Sequence, residues 1–139
     1  MEQEDYIKRQ IDQLGRVLAK ILADLTGLKN QGQTGVGYEA ADQALINELG
    51  LNIDDMTSIP TEKFIKTLQD RRKLSNDNLD NLAEILFLIA EELNHKDTDN
   101  GKMKKFYERS LIIYEHLDKT SSTYSFDRHN KIEQIKETL

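Results

Sequence analysis

Seven aliphatic residues near the start of the chain recur at alternating intervals of four and three residues. They are Ile7, Ile11, Leu14, Leu18, Ile21, Leu25 and Leu28. This spacing places all of them on one side of an α-helix, and mostly polar residues fill the other sides. The pattern predicts a long helix over about residues 5–28, and its apolar side must be covered by another part of a fold.

The rest of the chain alternates between helical patterns and short polar turns. We predict a first hairpin over 5–49, a short connecting helix over 59–73, a second hairpin over 78–118 and a C-terminal helix over 126–137. Residues 52–58 are interpreted as a polar connector. No window has the alternation typical of a strand. The sequence therefore predicts an all-α fold of five to six helices in a single domain, 1–139, with two stacked antiparallel hairpins.

Individual residues refine this expectation. Gly50 is placed to end the second helix, and Pro60 lies near the start of the short connecting helix. The helix at about 78–94 is apolar on all sides in its middle, so we expect it to be the most buried. In the last helix, Phe126, Ile132 and Ile135 are expected to face the core.

Composition excludes several classes of function. The chain has no Cys, so thiol catalysis, disulfides and zinc–thiolate sites are ruled out. Its formal charge is −6, which argues against general nucleic-acid binding. The longest apolar run covers residues 85–90, far too short to cross a bilayer. With an acidic N-terminus in place of a signal sequence, these features predict a cytoplasmic protein without a membrane partner.

One polar cluster could hold a small ligand or a metal ion: His95, Asp97, Asp99 and Glu108. Glu92 and His95 form a Glu-x-x-His pair, but a di-iron bundle needs two such pairs and two more Glu residues. Asp97 begins a stretch similar to a calcium loop, with Glu108 at its twelfth position, but Gly101 stands where an oxygen ligand is needed. An Asx-rich turn that caps the next helix explains the same residues.

Other motifs point to local structure rather than chemistry. Gly32, Gly35 and Gly37 follow a predicted helix, whereas dinucleotide-binding glycines follow a strand. Hydroxyl residues at 121–125 precede Arg128, His129 and Lys131, which could hold an anion or simply cap the last helix. No Gly-x-Ser-x-Gly elbow occurs. We therefore predict no catalytic residue, no cofactor and no enzymatic activity.

The two hairpins share an internal repeat. Residues 18–22 (Leu-Ala-Lys-Ile-Leu) recur at 82–86 as Leu-Ala-Glu-Ile-Leu, an offset of 64 residues. Repeated helix pairs stack, because a lone hairpin cannot bury its apolar side.

The later hairpin resembles a tetratricopeptide repeat. Its matching positions are Leu86, Ile89, Ala90 and Leu93 in the first helix and Met103, Tyr107, Ser110 and Leu111 in the second. The Trp, the Tyr and the terminal Pro of that motif are absent, and Ala90 replaces its Gly. The chain as a whole also resembles a small, uncharacterised bacterial family of helical proteins. The tetratricopeptide resemblance implies a scaffold that binds other proteins.

The sequence thus favours a non-enzymatic module that binds a protein or peptide partner. Two alternatives stay open. The chain could be a homodimeric structural protein that associates through its long first helix. It could also be a small-ligand or metal-binding protein that uses the cluster around His95.

Overall fold

The aliphatic stripe at the start of the chain forms a long helix. The structure, a computed structural model, describes residues 2–30, 39, 42–47, 50, 52–70, 74–96, 100–121 and 124–139, and these contain helices and no strand. The elements are α1 (Glu2–Asn30), α2 (Ile53–Ser58), a 3-10 turn (Thr61–Lys63), α3 (Phe64–Asp70), α4 (Asn76–Lys96), α5 (Asn100–Thr120) and α6 (Phe126–Thr138). Residues 42–47 are also helical. The all-α prediction is confirmed for this part of the chain.

The predicted number of helices was too low, because the supposed connector at 52–58 is itself helical. Asn52 caps α2, and its side-chain oxygen accepts a hydrogen bond from the Asp55 N–H at 2.6 Å. Ile53 and Met56 lie one turn apart and are fully buried. Asp42 accepts a second bond from the Ile53 N–H at 2.8 Å, which joins α2 to the 42–47 helix. Two apolar residues are too few to produce a helical period, so the pattern did not reveal this element.

The turns around α2 follow the sequence more closely. Gly50 has a φ of 65°, a left-handed conformation that glycine adopts without steric cost. Its N–H donates to the carbonyl of Ile46 at 2.9 Å, which closes the preceding helix as predicted. Pro60 stands immediately before the 3-10 turn. The connecting helix expected over 59–73 is therefore split into a 3-10 turn and α3, and residues 71–73 lie outside the described part of the chain.

Helix α4 lies at the centre of the core, as its apolar middle predicted. Its buried apolar residues are Leu79, Leu82, Ala83, Ile85, Leu86, Phe87, Ile89 and Ala90. Its most extensive packing is against α5. Ser110 Oγ donates to the Ala83 carbonyl at 2.7 Å, and Phe87 meets Tyr107 edge to face at 5.8 Å. Residue numbers rise along α4 as they fall along α5, so the two helices are antiparallel.

The other side of α4 is covered by α1. Leu14, Leu18, Ile21 and Leu25 are buried, whereas the side chains of Ile7 and Leu28 lie outside the described part of the structure. Near the start of α4, Asn78 Nδ2 donates to the Ile11 carbonyl at 3.2 Å. A Cβ atom on Gly15 would lie 2.8 Å from Asn78 Oδ1, so this glycine permits the close approach. None of the described helices combines the length and the apolar content needed to span a membrane.

Helix α6 packs on α5, but one of the residues expected on its buried side is exposed. Ile132 and Ile135 are buried, whereas Phe126 is 69% exposed and Arg128 is buried. Phe126 precedes Ile132 by six residues and Ile135 by nine. These intervals place it on the opposite side of the helix. The expectation that Phe126 faces the core was therefore wrong.

Candidate interaction surface

The predicted ligand cluster around His95 falls almost wholly outside the described side chains. The backbone of His95 belongs to α4, but its side chain, Asp97 and Asp99 are not described. Glu108 is an exposed residue of α5. Among the side chains that are described, no three His, Cys, Asp or Glu residues lie close enough together to hold a metal ion. The glycine-rich turn at 32–37 also lies outside the described part.

Two exposed aromatic residues stand where α6 begins. Tyr124 is 70% exposed and Phe126 is 69% exposed. The Tyr124 ring lies 5.8 Å from the ring of His129, at an angle of 43°. His129 follows Phe126 by three residues, so the two share one side of the helix. We call Tyr124, Phe126 and His129 the aromatic patch.

The helix that carries this patch is held firmly at its start. Ser125 Oγ accepts a hydrogen bond from the Arg128 N–H at 3.2 Å, and the Ser125 carbonyl accepts one from the His129 N–H at 3.0 Å. The buried Arg128 guanidinium reaches back to α5, where its Nε donates to Asp118 at 2.7 Å. The patch is thus presented by a capped and anchored helix end.

A charged cluster lies between α4, α5 and α6 beside this anchor. Lys131 Nζ donates to Glu84 at 2.5 Å and stands 5.7 Å from the centre of the Phe87 ring. Burial raises the pKa of Tyr114 well above its ordinary value, and the negative charges of Glu84 and Asp80 act in the same direction. Its hydroxyl is buried without a hydrogen-bond partner among the described residues.

The same cluster alters the titration of Asp80. Desolvation raises the pKa of this carboxyl group, and repulsion from Glu84 and Asp77 adds to the shift. The cations Lys131 and Arg128 oppose it without cancelling it. The raised pKa of Asp80 therefore follows first from desolvation of its carboxyl group.

The alternative role considered for this region was an anion site. Ser125 is used as the helix cap, which confirms the simpler interpretation for that residue. Arg128 is paired with Asp118, and Lys131 is paired with Glu84. Residues 122 and 123 lie outside the described part. The two cations therefore serve the packing of α6 and carry no excess charge for an anion.

A second buried cation, Arg109, was not anticipated. Its Nη2 donates to the Thr57 carbonyl at 2.9 Å, and its Cζ lies 5.1 Å from the centre of the Phe64 ring. Nε and Nη1 are buried and have no partner among the described residues. Burial lowers the pKa of this guanidinium, and Glu108 opposes the shift. Arg109 thus joins α5 to α2 and α3.

The sequence did contain a signal for each residue that was missed. Arg109 lies three residues after Phe106 and four before Ile113, so it falls on the apolar side of its helix. Tyr124 is an aromatic residue within a run of hydroxyl residues that predicts a loop, and a loop does not require an aromatic side chain. A helical projection of α6 separates Phe126 from the buried isoleucines.

Comparisons with known proteins add no family to these observations. No protein-family model, no curated protein and no solved structure matches the chain.

Proposed function

We propose that this chain is a non-enzymatic interaction module that binds a protein or peptide partner through the aromatic patch. The observation that carries the proposal is the exposure of Tyr124 and Phe126, at 70% and 69%, on an anchored helix end. Aromatic residues, tyrosine and tryptophan above all, are enriched among the residues that dominate the binding energy of protein interfaces. Exposed apolar side chains that lie together, rather than singly, mark such sites on a folded chain.

The energetics favour a partner that covers Phe126. Burial of one phenylalanine side chain is worth about 1.5–3 kcal/mol, and the isolated chain does not gain this energy. Tyr124 can add apolar contact and keep a hydroxyl for a hydrogen bond at the edge of an interface. The polar residues around the patch then supply a rim that favours one partner over another.

We further propose that the two hairpins stack in a tetratricopeptide-like manner. The repeat offset of 64 residues pairs Leu14 with Asn78, and Asn78 lies against Ile11 and Gly15. The described buried residues of α1 all lie at or beyond Leu14, which fits α1 and α4 running in the same direction. The antiparallel packing of α4 and α5 supplies the second hairpin.

Distance measurements between spin labels test this arrangement, and the absence of native Cys makes the labelling simple. Labels at Asp12 and Asp77, and in a second variant at Thr26 and Glu91, should both give short distances. One short and one long distance would mean that α1 and α4 run in opposite directions and would refute the stacking.

The binding proposal is tested by capture of partners from the native cell extract. The wild-type chain is compared with Phe126→Ser, with Tyr124→Ser and with Leu139→Ser, a matched control that removes another exposed apolar side chain (50% exposed). A retained protein should be lost with both patch variants and kept with the control. Equal retention by all four proteins, or none above the bare resin, would refute the proposal.

The two alternatives receive less support. The central part of the α1 stripe, from Leu14 to Leu25, is already buried within the chain. Homodimerisation through that stripe would therefore have to displace α4 or use other residues. A mass near 16.1 kDa by light scattering at high protein concentration would eliminate the dimer. Metal analysis and melting with added calcium or iron test the cluster around His95.

A further inference from the structure

The outward side of α6 extends the aromatic patch with two carboxylates. Four exposed residues recur at intervals of four and three: Phe126, Asn130, Glu133 and Glu137. At about 100° per residue they lie within an arc of about 60°, centred about 160° from the side that carries the buried Ile132 and Ile135. We call these four residues the α6 stripe. It is about 16 Å long, at about 1.5 Å per residue.

The carboxylates of the α6 stripe take no part in the packing of the helix. Within the described part of the chain, Glu133 and Glu137 form no ion pair. The cations Arg128 and Lys131, on the inner side of the same helix, are already paired with carboxylates of α5 and α4. The negative charge of the stripe is therefore available to a partner.

The charges at the two edges of the stripe cancel each other. Asp127 and Lys136 lie on opposite edges, each about 90° from the centre of the stripe. With His129 counted as neutral, the outward side of α6 carries a formal charge of −2. On the neighbouring α5, Lys119 lies about 100° around the helix from Asp118, the residue that meets α6. This side of the protein is therefore acidic even when its own cation is included.

The charge of the stripe has the same sign as that of the whole chain, which carries −6. An acidic protein attracts a cationic partner and repels the phosphates of a nucleic acid or of an anionic membrane. Because the exposed ring of Phe126 lies in line with Glu133 and Glu137, one partner can cover the ring and meet both carboxylates along a single side of α6. The charge and the exposed ring together fit a basic protein segment with an apolar residue.

We propose that the partner of the aromatic patch is a basic segment of a protein, in which an apolar residue covers Phe126 and Lys or Arg residues meet Glu133 and Glu137. This inference rests on the function proposed above and adds the chemistry of the partner. The two carboxylates follow Phe126 by seven and eleven residues, which is about 10 Å and about 16 Å along the helix axis. A helical partner therefore needs two cations one turn apart, at the same distances from its apolar residue.

The test uses a labelled synthetic helix of about 24 residues, whose binding is followed by fluorescence anisotropy. This Lys helix has leucine at its centre and a pair of lysines one turn apart towards each end, so that it can bind in either direction. Two matched helices replace every lysine by glutamine or by glutamate. The wild-type chain should bind the Lys helix at least about fivefold more tightly than the glutamine helix, and the glutamate helix most weakly, because each exposed charge pair adds a modest attraction.

Two charge variants locate the binding on the protein. The stripe variant, Glu133→Lys with Glu137→Lys, should bind the Lys helix at least about tenfold more weakly than the wild-type chain, because attraction becomes repulsion at both positions. The matched control, Asp24→Lys with Glu62→Lys, changes the net charge equally at exposed positions elsewhere and should stay within about threefold of the wild-type affinity. Phe126→Ser should also weaken binding of the Lys helix. Urea unfolding must show that all three variants fold.

The outcomes distinguish this inference from the proposed function. Equal binding of the three helices that is lost in Phe126→Ser would keep the aromatic patch as a binding site and overturn the basic partner. No binding of the Lys helix by the wild-type chain, binding that Phe126→Ser leaves unchanged, or equal loss in both charge variants would also overturn it.

Two further measurements test other occupants of the same surface. Tighter binding to a DNA duplex or to phosphatidylserine vesicles than to the Lys helix would overturn the proposal. A dimer in sedimentation that only the stripe variant abolishes would identify a second copy as the occupant and would overturn it as well. Capture of a cellular protein that is unaffected by Tyr124→Ser and Phe126→Ser would refute the proposed function itself, and this inference with it.

Discussion

Replacement of Gly15 by Ala tests how closely α1 approaches α4. A Cβ atom at this position would lie 2.8 Å from Asn78 Oδ1, closer than such atoms approach in folded proteins. The Asn78 side chain is buried and donates to the Ile11 carbonyl at 3.2 Å, so moving it breaks that bond in a site with little access to water. An unsatisfied buried polar group costs about 1–3 kcal/mol.

The opposing effect is the helix propensity of alanine, which is about 1 kcal/mol better than that of glycine. Gly27, in the same helix, isolates this effect, because nothing lies within 4 Å of its would-be Cβ atom. We expect Gly27→Ala to raise the free energy of unfolding by about 1 kcal/mol. We expect Gly15→Ala to fall about 1–3 kcal/mol below Gly27→Ala, so its net effect is neutral to destabilising.

Urea unfolding followed by circular dichroism measures both variants. In an Asn78→Ala background the steric conflict disappears, so Gly15→Ala should then stabilise the protein as Gly27→Ala does. Equal stabilisation by the two glycine replacements in the wild-type background would show that Asn78 does not contact Gly15. The packing described for α1 and α4 would then be refuted.

Three other predictions concern the core and the charged cluster. Leu86→Asp places a charge at a fully buried position of α4 and should unfold the chain, and a helical spectrum with an unchanged melting temperature would contradict the central place of α4. Tyr114→Phe removes a buried hydroxyl that lacks a partner among the described residues, so it should raise the free energy of unfolding by up to about 1 kcal/mol; a loss in urea unfolding would show that the hydroxyl is hydrogen-bonded. The pKa of Asp80 is raised in the folded protein, so its ionised carboxylate lowers the free energy of unfolding at pH values above that pKa. This destabilisation disappears as the pH falls through the raised pKa. Asp80→Asn should therefore stabilise the protein at neutral pH and lose this advantage in acid, and a gain that stays constant with pH would contradict the sign of the shift.

Local patterns in the sequence determined the helical elements. The spacing of Leu14, Leu18, Ile21 and Leu25 predicted which side of α1 is buried. Helical geometry alone determines which residues share a side of the helix. The apolar middle of α4 predicted the centre of the core for the same reason. Gly50 and Ser125 end and begin helices through interactions with backbone groups a few residues away, which a local pattern also contains.

Tertiary packing decided the features that depend on residues distant in the chain. The helix at 53–58 is stabilised by the burial of Ile53 and Met56 in the core. Two apolar residues by themselves do not produce a helical periodicity in the sequence. Arg109 is buried because Thr57 and Phe64, far away in sequence, supply a carbonyl and a ring. Helical periodicity is a local property of the chain, whereas the neighbours of a buried or charged side chain are set by how the helices assemble.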